Sequence, residues 1–221
     1  MRLISDVHGN LKRYKSLAEG SPYSLQIGDL GFTYTYKKLL ADLEFDVSRH
    51  KFFMGNHDDF DFARRGLDAD TYLKFAEFNL GDYGMRSHGG VDFYFVRGAF
   101  SLDWMYRTMG IDVFANEEFE LHQHDAIVES FAQAKPDTVF SHECPNSIGY
   151  GGSFLLKGRE VLERFGYRYE TFTTRTGVLL DKMFAAHQPK NWYFGHYHQN
   201  WEDTVNGTHF RCIEAEGYVD L

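Results

Sequence analysis

The sequence predicts an α/β fold, and three features of its 221 residues support that prediction. Short apolar or β-branched runs with the character of buried strands recur along the chain. Segments with apolar residues at helical spacing lie between them. The runs also stop abruptly at Asp, Asn or His beside a glycine, and in open α/β sheets ligands bind where the carboxyl ends of the strands meet. Polar residues from distant parts of the chain can therefore meet in one site.

Five segments have this strand design, and in chain order they are LISDVHGN, YSLQIGDLG, KFFMGNHDD, DTVFSHECP and NWYFGHYHQN. In the third segment the apolar run ends at Met54 and polar residues begin at once. A surface turn would explain Gly55 and Asn56, because both tolerate the backbone angles that turns require. It would not explain the His-Asp-Asp that follows, or the same design in the other segments.

Helical patterns separate these strands. The first helix has one apolar face after an Asn10 N-cap, formed by Leu11, Tyr14, Leu17 and Ala18. The second helix has an apolar face formed by Leu39, Leu40 and Leu43. Further helices are predicted over residues 72–78, 126–134 and 177–187, and the last two end shortly before prolines. The segment VDFYFVRG predicts a strand, and the tail predicts a closing strand or pair of strands after a turn at Asn206 and Gly207.

The overall composition limits the classes of function. The chain carries 23 basic and 32 acidic residues, a net charge of −9, and this balance disfavours general binding to duplex nucleic acid. Its length and its 43% content of hydrophobic residues are typical of one domain, residues 1–221, with a full core. No apolar run approaches the roughly 18 residues of a membrane span, and no signal-peptide pattern precedes the first strand. We therefore expect a cytoplasmic protein that does not bind membranes, with Cys144 and Cys212 as ordinary thiols.

The polar residues at the strand ends carry carboxylate, amide and imidazole groups. They are Asp6, His8, Asp29, Asn56, His57, Asp58, His142, His196 and His198. Such groups are the ligands that suit Mn²⁺, Fe and Zn²⁺. Two pairs, Asp6 with His8 and His196 with His198, have the spacing i, i+2, so both members of a pair can reach one place from a turn. The strand ends therefore predict a metal site.

The motifs D-x-H, G-D, G-N-H-D, a lone H and G-H-x-H, in this order from Asp6 to His198, resemble the calcineurin-like metallophosphoesterase superfamily. The lone His142 lies in SHECP, which is similar to the T/S-H-x-x-P form of small bacterial and phage-like members. The segments GDLGF and GNHDD differ from the G-D-x-x-D and G-N-H-E of the protein serine/threonine phosphatases, so the sequence does not favour that class. The resemblance implies a four-layer αββα sandwich with two central mixed sheets.

The resemblance also implies a centre of two divalent metal ions, Mn²⁺ first and Fe or Zn²⁺ as alternatives. One ion is expected on Asp6, His8 and His198, and the other on Asn56, His142 and His196. Asp29 is expected to bridge them. His57 is expected beside the scissile phosphate, where it stabilises charge or protonates the leaving oxygen, and Asp58 is expected to orient its imidazole.

The implied reaction is hydrolysis of a phosphate mono- or diester by a hydroxide that both ions share, with the ions roughly 3.5–4 Å apart. The expected substrate is a small phosphate ester, and a nucleotide is open. The alternatives are a nuclease or cyclic-nucleotide phosphodiesterase of the same superfamily, or a catalytically silent metal-binding scaffold that works through partners. Arg97 or Arg107 of RGAFSLDWMYR could reach a substrate phosphate, but a surface position is the favoured interpretation of both.

Overall fold

The fold is described from a computed structural model that covers residues 1–31, 33–42, 44–149 and 156–221. Four strands form the first sheet: β1 (Arg2–Ile4), β2 (Ser24–Ile27), β3 (His50–Phe53) and β10 (Tyr218–Asp220). Their order across the sheet is β10-β1-β2-β3. The β1, β2 and β3 strands run parallel, while β10 is antiparallel to β1, so this sheet is mixed.

Six strands form the second sheet: β4 (Tyr83–His88), β5 (Val91–Val96), β6 (Thr138–Ser141), β7 (Asn191–Phe194), β8 (Trp201–Val205) and β9 (Thr208–Cys212). Their order is β4-β5-β6-β7-β9-β8. The central strands β5, β6, β7 and β9 run parallel, and the edge strands β4 and β8 are antiparallel to their neighbours. The second sheet is therefore also mixed.

The described residues form these α-helices: α1 (Leu11–Glu19), α2 (Thr33–Leu40), α3 (Ala69–Phe78), α4 (His124–Ala134), α5 (Asn146–Gly149), α6 (Leu156–Arg164) and α7 (Arg175–Ala186). The predicted cap is present, because the Asn10 side chain accepts a hydrogen bond from the backbone N–H of Arg13 at 3.3 Å. Leu43 lies outside the described residues. Within the part of the chain that the structure describes, no helix has both the length and the apolar character to cross a membrane.

Three buried clusters define the layers. One lies between the two sheets: Leu3, Leu25, Ile27, Phe53, Phe93, Phe95, Phe140 and Ile213. A second joins the outer face of the first sheet to α1, α2 and α3, and a third joins the outer face of the second sheet to α4 and α7. Successive residues of a strand point to opposite faces, so Leu3 packs between the sheets and its neighbour Ile4 packs under the helices. The predicted αββα sandwich with two mixed sheets is confirmed.

Edge strands are the part of the fold that the sequence analysis missed. The β4 and β8 strands expose many of their side chains, so they lack the apolar run by which the buried strands were identified. The turn predicted at Asn206 and Gly207 joins β8 to β9, and both residues have positive φ angles of 50° and 83°. Two positive φ angles are the backbone of the tight turn that matches strand twist. Cys144 and Cys212 are buried and free, as expected.

Candidate metal centre

The polar residues converge where strands of the two sheets end. Asp6 and His8 follow β1, Asp29 follows β2, and residues 56–58 follow β3 in the first sheet. His142 follows β6, and residues 196–198 follow β7 in the second sheet. Within each sheet these strands are neighbours that run in parallel, so their carboxyl ends lie at the same edge.

The first donor group consists of Asp6, His8, Asp29 and His198, whose ligand atoms all lie within 4.8 Å of one another. The Nε2 atoms of His8 and His198 are 2.9 Å apart. The Nε2 atom of His198 is 3.5 Å from Asp6 Oδ1. Two imidazoles and two carboxylates at one point form a donor set that suits a divalent ion such as Mn²⁺, Fe²⁺ or Zn²⁺.

The second donor group consists of Asp29, His142 and His196, again with ligand atoms within 4.8 Å of one another. Asn56 lies beside this group, with its Oδ1 atom 3.1 Å from His142 Nε2. The other ring nitrogen of His142, Nδ1, donates to the carbonyl oxygen of Ile27 at 2.9 Å, and this bond fixes the ring with Nε2 toward the donor group. Amide oxygen, carboxylate and two imidazoles therefore form a second donor set.

Asp29 belongs to both groups. Its Oδ2 atom is 3.8 Å from His8 Nε2, and its Oδ1 atom is 3.2 Å from His142 Nε2. Burial raises the pKa of this carboxyl, but the positive charge of the neighbouring His142 imidazole outweighs burial and holds the pKa well below its usual value. The side chain is thus an ionised carboxylate with one oxygen toward each group, which is the arrangement of a bridging ligand.

Backbone strain is concentrated in these residues. Five of the candidate ligands have positive φ angles: Asp6 at 44°, His8 at 44°, Asp29 at 53°, His196 at 67° and His198 at 53°. A non-glycine residue in the left-handed region costs about 1–3 kcal/mol and persists only where its surroundings determine it. The strained turns bring residues i and i+2 to one place, as the sequence spacing predicts.

Glycine precedes several ligands because the site leaves no room for a Cβ atom. At Gly28, a Cβ would overlap the imidazole ring of His142. At Gly55, it would overlap both His142 and the Asp29 carboxylate. The glycines of the G-D and G-N-H-D motifs therefore permit the close approach of ligands from other strands.

Replacement of Gly28 by alanine should lower stability more than the matched replacement of Gly81. The two glycines have nearly the same φ, 96° and 94°, but a Cβ at Gly81 would have no neighbour within 4 Å. The conformational cost is shared, so the difference measures crowding against His142, about 1–3 kcal/mol. Chemical denaturation of both metal-free variants gives the two free energies of unfolding. Equal losses would show that the space at Gly28 is not restricted.

His57 lies beside the donor groups and contacts an arginine. The Nη2 atom of Arg107 is 2.6 Å from His57 Nε2, and a guanidinium can only donate, so this nitrogen accepts. Burial, together with the positive charge of Arg107, lowers the pKa of His57 to about 4 against the opposing effect of Asp29. The imidazole is therefore neutral, without a proton on Nε2. To protonate a leaving group there, it must exchange Arg107 for substrate and gain a proton.

The surface interpretation of Arg107 and Arg97 is wrong. The Arg107 side chain is 8% exposed, and Asp103 fixes it through Nε to Oδ1 at 2.7 Å and Nη2 to Oδ2 at 2.9 Å. Arg97 is also buried, and its guanidinium lies over the rings of Phe60 and Phe119. The i, i+4 spacing of Asp103 and Arg107 was the available sequence signal.

Asp58 joins two of the loops that carry candidate ligands. Its Oδ1 atom accepts the backbone N–H of Gly31 at 2.8 Å, and its Oδ2 atom accepts that of Gly55 at 2.7 Å. Burial, with a smaller contribution from nearby Asp29, raises the pKa of this carboxyl to about 7. Through these bonds Asp58 joins the loop after β2 to the loop after β3 and thus sets the position of two candidate ligands.

A cleft of about 450 Å³ opens above the donor groups. Its floor is polar: His8, Asp29, Asn56, His57, His196 and His198. Its wall includes apolar side chains, of which Leu102, Val161 and Phe165 come from the segment after β5 and from the end of α6. Arg107 is the one permanent cation among the described lining residues. The cleft therefore combines a polar floor with an apolar wall.

No family model matches the sequence, and no curated protein is significantly similar to it. Among solved structures, TT1561 of Thermus thermophilus has a TM-score of 0.57 at 11% identity and covers 97% of this chain and 89% of its own. A putative 5'-nucleotidase from Staphylococcus aureus has a TM-score of 0.46 at 13% identity, and the match covers 98% of this chain and 48% of the nucleotidase chain. A metallophosphoesterase from Sphaerobacter thermophilus has a TM-score of 0.36 at 12% identity, and the match covers 98% of this chain and 77% of the other. At such identity the likeness to TT1561 shows the fold alone, and that fold is the two-sheet sandwich which the metallophosphoesterase resemblance of the motifs predicts.

Proposed function

We propose that this chain is a metal-dependent phosphoesterase that hydrolyses a small phosphate mono- or diester with the help of two divalent ions. The observation that carries the proposal is the pair of donor groups that share Asp29, one facing each of its oxygens. Structural ion pairs do not need two imidazole clusters on either side of one buried carboxylate. A pair of metal ions does.

The donor chemistry fits such ions. Asp6, His8 and His198 would hold one ion, and Asn56, His142 and His196 the other, with Asp29 between them. The mixture of oxygen and imidazole nitrogen suits Mn²⁺ first, with Fe and Zn²⁺ as alternatives. Two ions in this place would supply Lewis acidity to phosphoryl oxygens and a water of lowered pKa.

The chain's own residues would bind and orient the ester. Arg107, fixed by Asp103, presents a guanidinium at the cleft beside His57, and a guanidinium suits the oxygens of a phosphate. Substrate phosphate that enters between these two side chains would displace their mutual hydrogen bond. His57 would then face the phosphate, where it can stabilise charge or supply a proton.

The cleft favours a compact ester over a long polyanion. Its apolar wall can receive the alcohol part of a substrate, and Arg107 is its one permanent cation among the described lining residues. A polynucleotide backbone needs a row of cations, whereas the chain has a net charge of −9. We therefore propose an aryl phosphate ester or a nucleotide as the kind of substrate, ahead of duplex DNA.

A panel of phosphate esters tests this proposal. With Mn²⁺ present, the purified protein should hydrolyse nitrophenyl phosphate mono- or diesters and nucleotides faster than it degrades duplex DNA, because the cleft has an apolar wall and no row of cations among its described lining residues. Asp29→Ala protein, purified in the same way, controls for a contaminating phosphatase. Processive degradation of duplex DNA would favour the nuclease alternative. Absence of turnover on every ester, with two ions bound, would favour the silent scaffold.

A further inference from the structure

Asn56 carries the one amide among the candidate ligands, and the oxygen and nitrogen ends of this amide are nearly the same in shape. Its Oδ1 atom faces His142 Nε2 at 3.1 Å, and its Nδ2 atom donates to Ser101 Oγ at 3.0 Å. Only the oxygen end can bind a metal ion, because an amide nitrogen offers no free lone pair. The bond from Nδ2 to Ser101 therefore helps to keep the oxygen end toward the second donor group.

Ser101 is in turn bound to a carboxylate. Its hydroxyl donates to Glu117 Oε2 at 2.7 Å, and Glu117 Oε1 accepts the backbone N–H of Phe114 at 2.8 Å. Asn56, Ser101 and Glu117 are 2%, 1% and 5% exposed, so water does not replace these bonds. Burial raises the pKa of Glu117 to about 7, and above that pH its ionised carboxylate can only accept, so the serine proton then points to Glu117. The lone pairs of Oγ are then left for Asn56, which must present its NH₂ end.

We propose that Ser101 and Glu117 are positioning residues for the second metal ion, because they fix the Asn56 amide with its oxygen toward that ion. The inference rests on the metal centre proposed above. Neither residue lies in the five strand-end motifs, and neither one belongs to a donor group. Partners of this kind affect metal affinity by about 10- to 100-fold when they are removed.

Glu117→Gln tests the direction of the chain of hydrogen bonds with almost no change of shape. Glutamine offers one oxygen, while Phe114 N–H and the Ser101 hydroxyl both need an acceptor. If the oxygen serves Phe114, the NH₂ group faces Ser101, whose proton must turn to Asn56. The amide of Asn56 would then present nitrogen to the ion, so affinity for the second ion should fall.

Ser5 supplies a matched control in the first donor group. Its buried hydroxyl donates to Asp6 Oδ2, and the buried hydroxyl of Ser101 accepts from Asn56 Nδ2. Each serine therefore forms a hydrogen bond with one candidate ligand. Ser5→Ala and Ser101→Ala each remove one buried hydroxyl next to one ligand. A general loss of folding would weaken the binding of both ions in each variant. Loss of positioning alone would weaken the binding of one ion in Ser5→Ala and of the other ion in Ser101→Ala.

The experiment is calorimetric titration of the metal-free proteins with Mn²⁺, with thermal denaturation of each to show that it folds. Ser101→Ala and Glu117→Gln should raise one of the two dissociation constants about 10- to 100-fold, and Ser5→Ala should raise the other. Unchanged constants, or the same constant raised by Ser5→Ala and Ser101→Ala, would overturn the inference while the metal centre stands. Fewer than two binding events in the unmodified protein would overturn the metal centre itself.

Discussion

Asp29→Ala should lose both metal ions and, with them, turnover of every phosphate ester. The carboxylate has one oxygen toward each donor group, so its removal takes a ligand from both and leaves four imidazoles with less negative charge between them. Loss of a shared ligand should lower metal affinity by more than the roughly 100-fold that loss of a hydrogen-bond partner of a ligand can cause. Elemental analysis after equilibration with Mn²⁺ measures the two ions.

Asp59 offers an isosteric control for this prediction. It is fully buried like Asp29, but its carboxylate is paired with Arg65, at 2.6 Å from Nε. Asp29→Asn and Asp59→Asn each remove one buried negative charge, and only the first should release metal. An Asp29 variant that keeps both ions at the affinity of the unmodified protein, or loses just one, would contradict the shared-ligand arrangement.

His57→Ala should keep both metal ions and still lose turnover, on the order of 100- to 10,000-fold, the range for removal of a positioned acid or base. The residue is not part of either donor group, and its Nε2 atom faces Arg107 at the cleft. If it supplies a proton to the leaving oxygen, the loss should be smaller for nitrophenyl esters, which need little protonation, than for alkyl esters. Steady-state kinetics on both kinds of ester give the two losses.

The same kinetics distinguish the roles of this histidine. An equal loss on both kinds of ester would indicate charge stabilisation together with Arg107 and would exclude the acid role. Metal content is the control, measured on the same preparations. Loss of an ion from the His57 variant would overturn the ligand assignment, and full activity on every ester would leave His57 without a role in the reaction.

Much of the fold was visible in the sequence because buried parallel strands carry continuous apolar runs. Five such runs correspond to β1, β2, β3, β6 and β7, and the polar residues at their ends lie together in space. The edge strands β4 and β8 were missed because their exposed side chains give no apolar pattern.

Residues that act through partners were harder to find from the sequence. Asn56 and Ser101 are 45 positions apart, and no local period links them. Asp58 directly follows His57, which suggests an orienting role, but its bonds to the backbone of two loops could not be predicted from that position. A candidate ligand can be identified from its own side chain. The contacts of a supporting residue depend on the folded structure, so they cannot be predicted from the sequence alone.

The central claim is that two divalent ions lie on either side of Asp29. Anomalous diffraction from crystals of the Mn²⁺-loaded protein tests it most directly, because each ion gives its own peak. We expect two peaks roughly 3.5–4 Å apart. One should lie among Asp6, His8 and His198, and the other among Asn56, His142 and His196. A single peak, or ions bound away from Asp29, would contradict the account.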